Sequence, residues 1–313
     1  MDKKVAFIFP GQGAQYVGMG KDFYEAYSIV RETFEEANDL LGFDLSKLMF
    51  EGPADELTLT KSSQIAIYVM SVALWRVLKQ ELPEIEPSVV AGLSLGEYSA
   101  LTVSGRLSFK DGVRLVRARG EYMYEAGVKS PGTMAVALGM KPEEVRTIVS
   151  PINGVWVANL NCPGQVVISG TVKGIEKASI LLKEKGAKRV LPLDVSGAFH
   201  SGLMDEAKQR LQEKIDEIEL RESSVGLVMN VPGDFVSESE IRKNMIEQVV
   251  APVYWEKGVR KMEENGIELF IEIGPGKTLS GMNRKIGVNG KTLSMEKVED
   301  LETLNQGVFH GVT

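Results

Sequence analysis

Residues 89–97 decide the fold and read Val89-Val90-Ala91-Gly92-Leu93-Ser94-Leu95-Gly96-Glu97. The first four form a short apolar run typical of a buried strand, and Glu97–Thr102 is compatible with a helix. Between them lies the pattern G-x-S-x-G, in which small residues flank the serine because a sharp strand-to-helix turn leaves no room for side chains. Such a turn exposes the serine hydroxyl beside the amide of Leu95 and the helix N-terminus. The stretch therefore predicts a strand, a turn carrying a candidate nucleophile at Ser94, and a helix.

Other strands and helices are predicted on both sides of this stretch. Val5–Phe9 is a second apolar run, ended by a Pro-Gly turn signal, and Leu269–Ile273 is strand-like. Helical patterns cover Ser28–Leu41 and Gln64–Lys79, and the second of these repeats apolar residues at spacings of three and four, at Ile67, Met70, Leu74 and Leu78. Strands that alternate with helices indicate an α/β fold, in which helices cover a parallel sheet.

Residues 132–196 show a different order of elements. The pattern predicts a strand, a helix, two strands, a helix and a strand, at Thr133–Leu138, Glu143–Val149, Val155–Leu160, Val166–Ser169, Ile175–Lys185 and Arg189–Val195. This βαββαβ order is that of the ferredoxin-like unit. We therefore predict a large domain over residues 1–130 and 198–313, with a small domain inserted at 131–197. A cleft between two domains is a common place for a small-molecule site.

The composition excludes several classes of protein. The chain has 313 residues, of which 43% are hydrophobic and 25% charged, as in ordinary soluble proteins. The net charge is −7, with no basic stripe for a phosphate backbone, so no nucleic-acid partner is expected. No apolar run approaches the roughly 18 residues that cross a bilayer, and the opening run is too short for a signal peptide. We expect a cytoplasmic protein that does not contact membranes.

A serine hydroxyl needs a neighbouring base, most often histidine, and the chain has two histidines. His310 lies close to the end of the chain, where order is poorest. His200 lies at the predicted domain junction and is the candidate base, the alternative being a histidine that is bonded to the backbone and does no chemistry. Asp194 could complete a triad, but it falls within the last predicted strand of the small domain. Two histidines and the single Cys162, expected to be a small buried thiol, make no metal cluster.

Arg119 falls on the apolar side of a predicted helix. Lys110–Glu125 has a helical pattern, and at ~100° per residue Arg119 lies between Leu115 and Met123. A guanidinium in that position is costly unless it meets an anion. The anion is either a buried Asp or Glu, in a structural ion pair, or the carboxylate of a substrate, which the planar fork of arginine binds through two parallel bonds.

Several segments occur together in one order and carry a resemblance to a known family. They are Phe9-Pro10-Gly11-Gln12-Gly13-Ala14-Gln15, Gly92-Leu93-Ser94-Leu95-Gly96-Glu97-Tyr98-Ser99-Ala100, Arg117-Ala118-Arg119-Gly120, Asn159-Leu160-Asn161-Cys162-Pro163-Gly164-Gln165, Phe199-His200 and Glu272-Ile273-Gly274-Pro275-Gly276. Over nearly its whole length the chain resembles the malonyl-CoA:acyl carrier protein transacylase family. The resemblance implies an acyltransferase of fatty-acid synthesis, with an α/β-hydrolase-like large domain, a ferredoxin-like small domain and the active site between them.

The resemblance also implies a mechanism. Ser94 matches the family's nucleophile and His200 its base, so that a malonyl group passes from malonyl-CoA to Ser94, with release of CoA. The phosphopantetheine thiol of acyl carrier protein, the implied partner, then takes the malonyl group. Arg119 matches the arginine that holds the malonyl carboxylate. This chemistry needs no metal and no redox cofactor.

Further positions match supporting roles in the family. The main-chain amides of Gln12 and Leu95 are implied to form the oxyanion hole, and the main-chain carbonyl of Gln248 to orient the histidine. The side chains implied to line the cleft are Asn159, Leu93 and Phe199. The family usually has histidine directly before the nucleophile, so Leu93 affects the expected acyl selectivity but not the nucleophile or base. Asn159 also has a simpler interpretation, as a hairpin-end asparagine before a Pro-Gly turn.

The sequence is also compatible with other functions. The same nucleophile, base and amides support hydrolysis of acyl thioesters or esters, although a lipid esterase has no use for a guanidinium in its acyl pocket. A polyketide-associated acyltransferase would use the same site, and an inactive module that binds carrier protein is a third alternative. A small basic group either meets an acidic carrier protein or is ordinary solvated surface, and its members are Lys277, Arg284 and Lys285.

Overall fold

The computed structural model describes residues 4–309, which divide into two compact units. The second unit comprises Ala118–Ile218 and Met229–Arg260, and the first comprises the rest of the described chain. The predicted small domain, residues 131–197, lies inside the second unit, which also includes chain on both sides of that segment. Within residues 4–309 no helix is long and apolar enough to span a membrane.

The strands and helices alternate along most of the chain. The strands are β1 (Lys4–Phe9), β2 (Val89–Gly92), β3 (Gly132–Leu138), β4 (Val155–Cys162), β5 (Gln165–Thr171), β6 (Arg189–Pro192), β7 (Gly226–Met229), β8 (Asp234–Phe235), β9 (Ile267–Ile273) and β10 (Lys291–Met295). The helices are α1 (Lys21–Ala26), α2 (Ser28–Leu41), α3 (Leu45–Glu51), α4 (Ala54–Thr58), α5 (Thr60–Glu81), α6 (Gly96–Val103), α7 (Phe109–Lys129), α8 (Pro142–Val149), α9 (Val172–Glu184), α10 (Asp205–Asp216), α11 (Glu238–Glu247), α12 (Trp255–Glu264), α13 (Thr278–Ile286) and α14 (Asp300–Phe309).

A parallel sheet forms the centre of the first unit. Five of the six strands of this sheet lie side by side in the order β10, β9, β1, β2, β7, and each of these four neighbouring pairs is parallel. The apolar runs predicted as strands are confirmed as β1, β2 and β9, and they are almost fully buried, as expected for a sheet covered on both faces. In the register of these strands, Ile8 pairs with Glu272 and Phe9 with Gly92. The segments that follow β9, β1 and β2 therefore leave the sheet as neighbours at one edge.

Helices α5 and α7 are the longest of the described chain. The helical patterns predicted at Gln64–Lys79 and Lys110–Glu125 are confirmed as α5 and α7, and the pattern predicted at Ser28–Leu41 is confirmed as α2. The apolar stripe of α5 is buried as predicted, but so is its opposite side, because α2, α4 and α6 all pack on it. On α7, the predicted division into faces is confirmed: the buried residues include Leu115, Val116, Gly120 and Met123, and Arg114 is exposed.

The second unit contains an antiparallel sheet. Its strands lie in the order β4, β5, β3, β6, and the chain passes through β3, α8, β4, β5, α9 and β6, as the sequence predicts. One face packs on α8 and α9 around buried aliphatic side chains such as Val157, Ile168 and Leu182. Cys162 is 3% exposed and its Sγ donates to Oε1 of Gln165, so the predicted buried thiol is confirmed. Residues 4–309 therefore form a mixed α/β fold, with a sheet of mainly parallel strands and a four-stranded antiparallel sheet.

Candidate active site

Ser94 lies in the turn between β2 and α6, here called the serine turn (residues 92–96). Its φ angle is +50°, a left-handed conformation that is strained for a residue with a side chain. A Cβ on Gly92 would lie 1.9 Å from the carbonyl carbon of Gly96, and a Cβ on Gly96 would lie 2.2 Å from the carbonyl oxygen of Phe9. The predicted strand, turn and helix are confirmed, and close backbone packing explains both glycines of the G-x-S-x-G pattern.

The loop that follows β1, residues 10–16, lies beside the serine turn and is here called the β1 loop. The amide of Leu93 donates to the carbonyl oxygen of Phe9 at 3.0 Å, and a Cβ on Gly11 would lie 2.5 Å from the carbonyl oxygen of Leu93. Gln12 comes next, and its Nε2 donates to Oγ1 of Thr60 at 3.1 Å. The two residues implied to form an oxyanion hole, Gln12 and Leu95, thus belong to adjacent backbone segments of the first unit.

The N-terminus of α6 follows the nucleophile candidate directly. The amide of Gly96 donates to the carbonyl oxygen of Leu93 at 2.9 Å, and the amide of Glu97 to that of Ser94 at 3.2 Å. Leu95 is 1% exposed, whereas Ser94 and Leu93 are half-buried. The partial positive charge of the helix N-terminus favours negative charge that develops beside Ser94.

His200 lies in the second unit, in the segment between β6 and α10. Its φ angle is +55°, and Ser94 and His200 are the two non-glycine residues with positive φ within residues 4–309. The side chain is buried, and Nδ1 lies 2.8 Å from the main-chain carbonyl oxygen of Gln248. Because a carbonyl oxygen only accepts, Nδ1 carries the proton of the neutral ring and Nε2 is left as a proton acceptor.

The pKa of His200 is lowered to about 4 from its ordinary value of 6.5. Burial is the largest cause, followed by the positive charge of Arg119, while hydrogen bonds to the backbone of Gln248 and Ala251 act in the opposite direction. The imidazole is therefore neutral near neutral pH. A neutral imidazole is the form required of a general base.

Arg119 lies on α7 and is 1% exposed, as its position on the apolar face predicts. Its Nη2 donates to Oε1 of Gln248 at 2.9 Å. Gln248 is itself fully buried. Its side-chain oxygen accepts a hydrogen bond from Arg119, and its main-chain carbonyl oxygen accepts one from His200. The resemblance implies the main-chain contact only. The side-chain contact joins residues 129 positions apart, and no local sequence signal could have found it.

The three residues implied to line a cleft occupy defined backbone positions. Leu93 directly precedes Ser94, and Phe199 directly precedes His200 and is 6% exposed. Asn159 lies on β4 where the register with β5 shifts, and it forms an isolated parallel bridge with Val253. The amide of Leu160 donates to the carbonyl oxygen of Val253 at 2.9 Å. The β4 segment that carries Asn159 is therefore tied to the chain that follows Gln248.

The sequence contains two further titratable residues considered for the site, Asp194 and His310. Asp194 is exposed and lies beyond the end of β6, because that strand ends at Pro192 and does not reach Val195 as predicted. His310 lies outside the described residues.

The described part of the chain contains no group of three or more His, Cys, Asp or Glu side chains arranged to hold a metal ion. The small basic group lies at the two ends of α13, and its members Lys277, Arg284 and Lys285 are all exposed. Lys277 pairs with Asp300 at 3.7 Å. Arg284 and Lys285 lie in the last turn of the helix, where positive charge is also favoured by the helix dipole.

Comparison with known proteins gives matches along nearly the whole chain. A family model described as an acyl transferase domain matches residues 6–297. The malonyl CoA-acyl carrier protein transacylase of Bacillus subtilis is 46% identical over 304 residues, which are 96% of this chain and 95% of that protein. The crystal structure of malonyl CoA-acyl carrier protein transacylase from Clostridium perfringens is 38% identical, with a TM-score of 0.93 and 98% of both chains covered.

A solved complex is also similar. It is described as a type II PKS acyl-carrier protein in complex with its malonyl-transacylase, and it matches with 37% identity and a TM-score of 0.93 over 97% of this chain and 99% of that chain. The α/β fold, the serine turn and the family match together define an acyl transferase domain. Because such relatives match over nearly their full length, the chain belongs to the malonyl CoA-acyl carrier protein transacylase family.

Proposed function

We propose that this enzyme transfers a malonyl group from malonyl-CoA to an acyl carrier protein through a malonyl ester of Ser94. The observation that carries the proposal is the left-handed backbone of Ser94 and His200, the two non-glycine residues with positive φ among residues 4–309. Strain of this kind persists where the surrounding structure fixes a residue for its function. Family membership supplies the acyl group and the acceptor, because the relatives are named for both.

In the first step, Ser94 is acylated. Its Oγ attacks the thioester carbonyl carbon of malonyl-CoA, and Nε2 of His200 takes the hydroxyl proton. The amides of Gln12 and Leu95 stabilise the oxyanion, aided by the N-terminus of α6. The C–S bond then breaks, and the departing CoA thiolate takes the proton from His200. Ser94 is left as the malonyl ester.

In the second step, the carrier protein removes the malonyl group. The phosphopantetheine thiol gives its proton to Nε2 of His200 and attacks the ester carbonyl carbon. The new C–S bond forms, the C–O bond breaks, and Ser94 recovers its proton from His200. Both steps exchange acyl groups without any change in oxidation state. We therefore propose a reaction with no metal and no redox cofactor of the enzyme.

Arg119 is proposed to bind the carboxylate of the malonyl group. Two observations support this role: the side chain is 1% exposed, and it lies on an apolar helix face where a guanidinium requires an anion. The hydrogen bond from Nη2 to Gln248 at 2.9 Å helps to orient the guanidinium group. Asn159, Leu93 and Phe199 are proposed to contact the acyl group or the arm that carries it.

We also propose a specific fold type for each of the two units. Five parallel strands with the serine turn after β2 support an α/β-hydrolase-like first unit. The order β4, β5, β3, β6 with antiparallel pairing, reached in βαββαβ chain order, supports a ferredoxin-like sheet in the second unit. A cytoplasmic location stays a prediction from the sequence.

Intact-protein mass spectrometry tests the proposed reaction directly. The enzyme is mixed with malonyl-CoA alone, and a covalent malonyl adduct is expected that is absent from the Ser94→Ala variant. Addition of acyl carrier protein bearing phosphopantetheine is then expected to remove the adduct and to appear as malonylated carrier. An adduct that decays to malonate at the same rate with and without carrier would make the enzyme a hydrolase. Failure of the wild type to form any adduct would support the inactive carrier-binding module.

The acceptor needs a separate comparison. The solved complex contains a type II PKS carrier, so carriers of fatty-acid and polyketide synthesis are both candidates. We expect the carrier of fatty-acid synthesis to have the higher kcat/KM in the second step. A higher value for the polyketide carrier would assign the enzyme to that context.

A further inference from the structure

Four neighbouring strands of the parallel sheet end at the same edge, in the order β10, β9, β1, β2. The segments that follow them are Glu296, the turn of residues 274–276, the β1 loop and the serine turn. Because the strands are parallel and in register, each segment lies beside the next. The turn of residues 274–276, which reads Gly274-Pro275-Gly276, has no role in the reaction as proposed above.

The turn lies beside the β1 loop on both sides of Gln12, and it packs closely at Pro10. A Cβ on Gly274 would lie 2.7 Å from Cγ and 2.9 Å from Cδ of Pro10, which is two residues before Gln12. A Cβ on Gly276 would lie 3.8 Å from the Cβ of Ala14, two residues after it. The φ angle of Gly274 is +142°, so that glycine is required both by its backbone and by the closeness of Pro10.

Two carboxylates anchor the turn by accepting hydrogen bonds from backbone amides. Glu272, which is fully buried, accepts hydrogen bonds from the amides of Leu279 and Ser280 at 2.9 and 2.8 Å, so it anchors the turn to the start of α13. Glu296 accepts a bond from the amide of Gly276 at 3.0 Å. The turn is therefore held to α13 and to the end of β10, while Gly274 packs against Pro10 of the β1 loop.

We infer that residues 274–276 are a brace that fixes the β1 loop against the serine turn, and that Gly274 is a positioning residue for acyl transfer. The inference rests on the proposed function, because it acts through the amide of Gln12. The contacts form an unbroken series: Gly274 lies against Pro10, and Gly11 next to it lies against the carbonyl group of Leu93. A displacement of Pro10 thus moves the amide of Gln12 relative to Ser94. An oxyanion donor acts only when it is placed within hydrogen-bond reach of the developing charge.

The variant Gly274→Ala tests the brace, with Gly287→Ala as its matched control. Gly287 ends α13, has a φ angle of +76°, and a Cβ there would meet nothing within 4 Å. Both variants place alanine at a positive φ, but only Gly274→Ala pushes on the β1 loop. We expect the rate constant for malonylation of Ser94, measured in a single turnover, to fall at least about tenfold in Gly274→Ala and to stay within twofold in Gly287→Ala.

A second readout separates positioning from loss of structure. The dissociation constant of malonyl-CoA is measured in the Ser94→Ala background, with and without Gly274→Ala. We expect it to change by less than threefold, because the brace places a group that acts on the transition state. A parallel loss of acylation rate and malonyl-CoA affinity would make Gly274 merely structural and overturn the inference.

Two more variants keep the test decisive. Glu296→Ala removes the acceptor of the Gly276 amide without adding an atom, and we expect a smaller fall in the acylation rate at unchanged affinity, even if Gly274→Ala does not fold. The double variant Gly274→Ala with Ser71→Gly removes the other close contact, since the added Cβ would also lie 2.6 Å from Oγ of Ser71. If the double variant regained the full wild-type acylation rate, the loss in Gly274→Ala would come from the clash with Ser71 and not from Pro10, which would overturn the inference.

The outcomes distinguish the brace from the proposed function itself. A wild-type enzyme that forms no malonyl adduct contradicts the function, whatever the variants do. A wild-type enzyme that forms the adduct, with Gly274→Ala and Glu296→Ala both within twofold of its rate, contradicts only the brace.

Discussion

The imidazole of His200 is held by the main chain of Gln248, with 2.8 Å between Nδ1 and the carbonyl oxygen. The side chain of the same glutamine accepts a hydrogen bond from Arg119. A candidate base and a candidate carboxylate-binding group are therefore positioned by one buried residue. The contact to the histidine uses the backbone and survives side-chain substitution, whereas the contact to Arg119 does not. The two roles of Gln248 can for this reason be tested one at a time.

The first prediction is the pH dependence of acylation. The pKa of His200 is lowered to about 4, chiefly by burial and also by the charge of Arg119. Protonation abolishes the base, so the single-turnover acylation rate is expected to fall with a midpoint near pH 4 and not near the ordinary 6.5. The measurement is a rate profile on the free enzyme at subsaturating malonyl-CoA. A midpoint near 6.5 would mean that another group controls the reaction.

The same shift predicts a change in stability with pH. The folded-state pKa of His200 lies below the unfolded value, so the unfolded chain binds more protons in the interval between them. The contribution is fully present above about pH 6.5, and on the order of 3 kcal/mol is lost as the pH falls toward 4. Urea unfolding at pH 7 and pH 4.5 measures the loss. The His200→Gln variant, which does not titrate there, should lose less stability over that interval; equal losses would contradict the shift.

Helix periodicity predicted the position of Arg119 because a period of 3.6 residues is a local property of the chain. The partner of Arg119 could not be predicted in the same way, since Gln248 is 129 residues away and the contact exists only after folding. A similar limit applies to α5. Its spacing predicted one apolar stripe, but the burial of its other side depends on which helices pack there.

Some strands could be predicted from local sequence patterns and others could not. The strands β1, β2 and β9 were predictable because fully buried parallel strands are continuous apolar runs. Lys291–Met295 of β10 and the two-residue β8 carry no such run, and they were not predicted. Gly226–Met229 of β7 was not predicted either, although its residues are apolar and mostly buried. The left-handed conformation of Ser94 follows from the flanking glycines, whereas nothing in the sequence around His200 indicates its φ of +55°.

The conformation of Ser94 leads to a prediction about stability. A side chain at a φ angle of +50° costs roughly 1 kcal/mol relative to glycine. Ser94→Ala and Ser94→Gly both remove the nucleophile, and neither should form a malonyl adduct. Ser94→Gly is expected to be more stable than Ser94→Ala by about 1 kcal/mol, measured by urea unfolding. Equal stability would mean that the surrounding turn does not strain this residue.

Gln248→Ala separates the two contacts of Gln248. The variant keeps the main-chain carbonyl that holds His200 but removes the acceptor for Nη2 of Arg119. A hydrogen bond to a charged group contributes about 1.5–3 kcal/mol, so kcat/KM for malonyl-CoA is expected to fall roughly tenfold or more. The acid midpoint of the rate profile should stay near that of the wild type. A midpoint shifted by a full pH unit would show that the side chain also controls the histidine.

The last prediction concerns the anion that Arg119 meets. If that anion is the substrate carboxylate, Arg119→Ala should weaken malonyl transfer strongly, because removing one member of a desolvated pair costs on the order of 2–5 kcal/mol. Acetyl-CoA lacks the carboxylate, so its transfer should fall less, and the ratio of the malonyl to the acetyl kcat/KM is the quantity to measure. Arg114→Ala is the matched control, since Arg114 lies on the same helix with its side chain 61% exposed, and the ratio should not change. A structural ion pair predicts the opposite pattern: both substrates fall together and the melting temperature drops, because a buried charge is left without its partner. Equal losses with a lowered melting temperature would therefore remove Arg119 from substrate binding and leave it a structural residue of α7.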